Sequence, residues 1–91
     1  MRLKWSSLAR LQYMEQINYI GDRNLSAALK ITEKLRTATD KLLIHTEIGK
    51  KRRCEGTREL AVSGTPIIIV YTIVQQEILI AGILHTAQDY P

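Results

Sequence analysis

Arg53-Cys-Glu-Gly-Thr-Arg-Glu-Leu-Ala-Val-Ser-Gly-Thr-Pro-Ile-Ile-Ile-Val-Tyr71, with its continuation Thr72-Ile-Val-Gln-Gln-Glu-Ile-Leu-Ile-Ala-Gly-Ile-Leu-His85, reads as three strands and two turns. Arg58–Val62 alternates in polarity, as a half-covered strand does. Ser63-Gly-Thr-Pro66 turns the chain, because Gly supplies the conformational freedom and Pro refuses to continue a ladder. Ile67–Val74 is apolar at consecutive positions, which predicts a central strand covered on both faces. Gln75-Gln-Glu77 is short enough for a hairpin turn, and Ile78–Leu84 returns as the last strand.

Outward from this stretch, Arg2-Leu-Lys-Trp5 is short and alternating and predicts a first strand. Ser6 or Ser7 offers an N-cap oxygen to a helix carrying Leu8, Leu11, Tyr13 or Met14, Ile17 and Ile20, with Gly21 expected as its stop. Asp22-Arg-Asn24 is the expected turn. Leu25, Ala28, Leu29, Thr32, Leu35, Thr39 and Leu42 form the expected apolar stripe of a second helix, opposite Lys30, Glu33, Lys34, Arg36, Asp40 and Lys41. His45–Gly49 and the run Lys50-Lys-Arg-Arg53 read as a loop. The expectation is an α+β domain over residues 1–91, β-α-α-β-β-β in order, with a helical hairpin on one face of a small, twisted, mainly antiparallel sheet.

Composition narrows the class. Hydrophobic residues make up 45% of the 91, enough for a core, and with no Phe and one Trp that core is aliphatic. Cys54 is alone, so no intramolecular disulfide can form and a reducing cytoplasm is the expected compartment. Met-Arg-Leu-Lys-Trp5 has no apolar leader segment, and the runs Ile67–Val70 and Ile78–Leu84 fall far short of the ~20 residues of a membrane helix. His45, His85 and Cys54 lack zinc-like spacing, so neither a metal nor a cofactor is expected. The net charge of +4 is unevenly placed. Lys50, Lys51, Arg52, Arg53 and Arg58 crowd one segment beside Glu55, whereas residues 59–91 hold Glu59, Glu77 and Asp89 and no Lys or Arg. Nucleic-acid binders usually spread cations along a face; here they gather in a loop.

The series Gly56-Thr-Arg-Glu-Leu60, Gly64-Thr-Pro66, Ile69-Val-Tyr71 and Leu84-His85, in this order and spacing, resembles the RelE/ParE toxins of type II toxin–antitoxin modules. Trp5 and the Ala27-Ala28 pair agree with it weakly. The resemblance implies a cytoplasmic growth inhibitor held in check by a cognate antitoxin, in modules that stabilise plasmids. It also implies one of two poisons. RelE-like members are ribosome-dependent mRNA endonucleases that need no metal, whereas ParE-like members inhibit DNA gyrase by binding.

Cleaving RNA without a metal requires a base, an acid and cations over the developing phosphorane. RelE-like enzymes usually carry one such cation two positions ahead of the Val-Tyr that ends the central strand, and here that position is Ile68. A second group usually lies on or after the last strand, and Thr86-Ala-Gln-Asp-Tyr-Pro91 holds no cation. The sequence therefore favours a ParE-like binder. A nuclease built on Lys51 or Arg53 with Arg58 and His85 is the alternative, and a toxin fold that has lost its poison is a third reading.

Individual residues keep two readings each. Arg58 either presents its guanidinium to phosphate or carboxylate, or pairs structurally with Glu55, Glu59 or Asp89. His85 is either a proton donor or a hydrogen-bonded strand-end residue, and His45 is incidental. Lys50, Lys51, Arg52 and Arg53 either meet an acidic partner or form a solvated loop. The resemblance implies that the antitoxin neutralises part of that charge and that the C-terminal end, including Tyr90, touches the target. An antitoxin helix is expected across Leu8, Leu11 and Tyr13, unless these serve only the core, or an antitoxin strand extends a sheet edge.

Overall fold

The computed structural model describes residues 1–53 and 56–86. Its elements are β1 (Arg2–Trp5), α1 (Ser7–Arg23), α2 (Leu25–Ile44), β2 (Lys50–Lys51), β3 (Thr57–Ala61), β4 (Ile67–Val74) and β5 (Glu77–His85). The five strands form one sheet in the order β1-β5-β4-β3-β2. β1 pairs parallel with β5 and the other pairs are antiparallel. The expected α+β architecture is present, with two differences. A two-residue strand interrupts the expected loop at Lys50–Lys51, and the first strand joins the sheet beside the last.

α1 starts where Ser6 Oγ accepts from the Ala9 N–H at 3.0 Å. It does not stop at Gly21. Asn24 supplies the terminus three residues later, donating its N–H to the Ile20 carbonyl at 2.7 Å. The same residue opens α2, its Oδ1 accepting from the Ala27 N–H at 3.0 Å. Arg23 holds the last turn of α1, bonded to the Tyr19 carbonyl at 2.8 Å and stacked 3.5 Å from the Tyr19 ring centre. A real cap outcompetes a glycine that keeps helical geometry.

The buried stripe of α2 is Ala28, Ile31, Leu35, Ala38 and Leu42. Leu25 and Leu29, expected inside, are 67% and 63% exposed. Ile31, Leu35, Ala38 and Leu42 of this three-four seam join the core, and Ala28 packs against α1, its Cβ 3.7 Å from where a Cβ on Gly21 would sit.

The core joins this seam to Ile67, Ile69 and Tyr71 of β4 and to Ile78, Ile80 and Ile83 of β5. An even and an odd position of β5 share one face because of a bulge: Val70 pairs with Gly82 and Tyr71 with Ile80, leaving Ala81 as an extra residue. Ile68 and Val70, on the opposite face by alternation, are buried too, but Ile73 and Val74 open to solvent at the far end of the strand. Ile69→Ala should therefore cost about 3 kcal/mol in chemical denaturation. The β4–β5 hairpin turns on Gln75 and Gln76, both at positive φ (50° and 64°), the pair that a two-residue twisted turn demands.

β1 ends at Trp5, short of the upper part of β5. There α1 takes over the edge: Gln12 Oε1 accepts from the Ile83 N–H at 2.8 Å, and Gln16 Nε2 donates to the Ile83 carbonyl at 3.0 Å. Two glutamines one helical turn apart satisfy the backbone that a strand would otherwise pair.

Candidate functional site

The Ser63–Pro66 turn brings β3 back beside β4 and so aligns Arg58 with Tyr71. Val62 accepts from the Thr65 N–H at 3.1 Å, and Gly64 takes the φ of 76° that the turn requires. Tyr71 is fully buried, and its phenol fixes the segment between α2 and β2. The hydroxyl donates to the Thr46 carbonyl and accepts from the Gly49 N–H, both at 2.8 Å. A Cβ on Gly49 would lie 2.5 Å from that oxygen, so only glycine fits. Burial raises the Tyr71 pKa; the bond from Gly49 and the Arg58 charge oppose that rise, and the Glu47 charge adds to it.

Arg58 uses its fork on the same segment. Nη1 donates to the carbonyls of Gly49 at 2.8 Å and Glu47 at 3.2 Å, and Nη2 meets the Glu47 carboxylate at 3.4 Å. The expected pairing with Glu59 is thus replaced. Glu59 pairs instead with Arg52 at 3.4 Å, because alternation puts Glu59 and Arg58 on opposite faces of β3. Glu55 and Asp89, the other candidate partners, lie outside the described residues, as does Tyr90. Losing a charged fork bonded to two carbonyls should cost about 2 kcal/mol. Arg58→Lys should recover only part of it, as read from denaturation midpoints.

Around this anchor the chain forms a depression of about 560 Å³ lined by Glu47, Lys51, Arg52, Arg53, Arg58 and Thr72 among others. Four of the expected binding residues are thereby brought together, and Lys50 sits next to them on β2, exposed. Arg58 and Arg52 are compensated by Glu47 and Glu59. Lys51 and Arg53 have no carboxylate within ion-pair distance among the described residues. The depression is thus a positive corner suited to an anion or a carboxylate-bearing surface.

His85 is elsewhere. It pairs with Ile67 at the other end of the sheet, whereas Arg58 pairs with Tyr71. Four residues along and two strands across put the two roughly 16 Å apart. His45 caps the end of α2. Ile68 is a buried apolar residue between Ala61 and Leu84. Among the described residues no three His, Cys, Asp or Glu side chains come together as a metal set, and no helix is long and apolar enough to cross a membrane.

Leu8 and Leu11 stand outward on α1, more than half exposed, so the core reading fails for these two. Tyr13 does not share their face. It packs against Trp5 with ring centres 5.8 Å apart and hydrogen-bonds Thr32 of α2 at 2.8 Å. A residue two positions from Leu11 points to the other side of a helix. Sequence reading also missed Glu47 and Thr72 in the depression, and Tyr71 as its anchor. The Val-Tyr strand end was visible; its partner Gly49, 22 positions away, carried no local signal.

The chain is thus a helical hairpin on a five-stranded mixed sheet with a basic corner at the β2–β3 edge. A solved chain described as "Chromosomal ParDE TA system from P. aeruginosa" superposes with a TM-score of 0.81 at 20% identity, covering 93% of this chain and 95% of that one. The family model for the ParE toxin of type II toxin–antitoxin system, parDE, matches residues 3–90. "Putative toxin Y4kP" of Sinorhizobium fredii (strain NBRC 101917 / NGR234) is 31% identical over 91 residues, 99% of this chain and 93% of the relative. The chain belongs to the ParE toxin family.

Proposed function

We propose that this chain is the poison of a two-gene module, that it stops growth by binding DNA gyrase in the cytoplasm, and that a cognate antitoxin neutralises it. One observation carries the preference for binding over RNA cleavage. Ile68 is a buried aliphatic where a cation would be needed, while the candidate cations Lys51, Arg53 and Arg58 lie at the opposite end of the sheet from His85. A phosphorane could not be neutralised and protonated at one place by groups so far apart. The corner of Lys50, Lys51, Arg52 and Arg53 then serves as a docking surface for an acidic protein face. Leu8 and Leu11, exposed on α1, offer an apolar strip for an antitoxin helix.

Purified chain should inhibit supercoiling by gyrase in vitro, and charge reversal at Lys51 and Arg53 should raise the inhibitory concentration at least about tenfold. An inert result with gyrase, together with translation-dependent mRNA cleavage, would sink the reading.

The nuclease remains the second reading because Lys51, Arg53 and Arg58 do line one depression. It requires that Arg58→Ala and His85→Ala both abolish toxicity while the domain stays folded.

A further inference from the structure

β4 is buried from Ile67 to Tyr71, but its last two residues are not. Ile73 is 36% exposed and Val74 50%, and neither belongs to the core. The turn beyond them is strained. Gln75 and Gln76 both hold positive φ, a region where a Cβ crowds the neighbouring backbone. Asn-Gly or Asp-Gly would close the same turn with far less strain. Both glutamines are exposed, and neither side chain is hydrogen-bonded among the described residues. Strain held with no internal contact to compensate it marks side chains that are used outside the fold.

Two positive flanks enclose this end of the hairpin. Val74 faces Glu77 across the turn, and Arg2 of β1 stands beside Glu77 in register, two strand spacings or about 10 Å from Val74. Arg2 at 3.6 Å and Lys4 at 3.4 Å share the one Glu77 carboxylate, so this flank keeps a net positive charge. On the other side Ile73 lines the basic corner together with Lys51 and Arg53. An exposed apolar pair, two unbonded amides and a charged rim have the make-up of a protein-binding hot spot. Glu47 and Glu77 stand among the cations, where a phosphate backbone would be repelled and a mixed protein rim would not.

We infer that the end of the β4–β5 hairpin is the anchor by which the chain holds its protein target, Ile73 and Val74 entering an apolar pocket on gyrase. The Gln75 and Gln76 amides bond polar groups at the mouth of that pocket. Carboxylates on its rim meet Lys51 and Arg53 on one side, Arg2 and Lys4 on the other. The inference rests on the gyrase reading proposed above and gives the basic corner the apolar contact it lacks.

The test measures inhibition of supercoiling by intact gyrase with the full chain. I73T/V74T keeps β-branched side chains, and so the strand, but removes the apolar surface. Its inhibitory concentration should rise at least about tenfold, whereas I73V/V74I should keep wild-type potency. Q75N/Q76G should raise the urea midpoint by relieving the turn, yet lose potency at least about threefold. A purely structural turn would gain the stability and keep the potency. R2Q/K4Q should flatten the salt dependence of inhibition. Circular dichroism confirms that the variants fold. Wild-type potency in both I73T/V74T and Q75N/Q76G, with potency lost on charge reversal at Lys51 and Arg53, would overturn the hairpin assignment alone. Binding to bare duplex DNA as tight as to gyrase, and lost in I73T/V74T, would overturn it in favour of nucleic acid. Wild-type chain that never inhibits gyrase would overturn the gyrase reading and the hairpin assignment with it.

Discussion

Tyr71→Phe should lower the stability of the folded chain by about 2–4 kcal/mol, seen as a drop in the urea midpoint with little change in slope. The ring is retained, so core packing changes little. What is lost is a donor to Thr46 and the acceptor for the Gly49 N–H. That N–H is then buried without a partner, the costlier half of the loss. Arg58 grips the same segment through the Gly49 and Glu47 carbonyls, so Tyr71→Phe and Arg58→Ala should be non-additive. The alkaline limb gives an independent check. The folded chain raises the Tyr71 pKa, chiefly by burial, and so holds that proton more tightly than the unfolded chain does. The contribution is complete below the ordinary tyrosine value and is lost as pH rises through the raised one. The wild type should lose more stability than Tyr71→Phe across that window, and parallel curves would show that the phenol is not the titrating group.

Leu42→Ala should cost about 3 kcal/mol, within the usual range for a fully enclosed leucine. Its side chain has no exposed surface and belongs to the core shared with β4 and β5. Leu29→Ala, the same chemical change on the same helix, should cost no more than about 0.5 kcal/mol. The contrast measures the rotational phase of α2 directly. Equal losses in thermal or urea unfolding would mean that Leu29 is enclosed as deeply as Leu42.

That phase is where sequence reading reached its limit. Leucines at 25, 29, 35 and 42 imitate a continuous stripe, and only packing against a particular sheet distinguishes the inner ones. The turn at Ser63–Pro66 and the apolar run after it were legible because their residue types have strong local consequences. β2 was not, since two lysines carry no period. The parallel pairing of Arg2–Trp5 with Glu77–Ile80 was hidden for another reason: the partners are more than seventy positions apart. At the site, the gathering of cations could be read from charge alone. Their compensation could not, because Glu47 meets Arg58 from a segment whose position is fixed by the Tyr71 phenol, 25 positions from its partner Thr46.

The placement of β5 between β1 and β4 has a consequence for synthesis. Leu3 and Trp5, made first, have no strand to lie against until Ile78 and Ile80 have been added. Until then α1 and α2 have half a platform, and the apolar side chains they share with β5 remain wet. Sheets closed by such distant pairs form late and slowly. A chain that stops before Glu77 therefore leaves its helical hairpin on β3 and β4 alone, without the strand that joins them to β1. The arrangement makes the completed core depend on residues 77–85 being present.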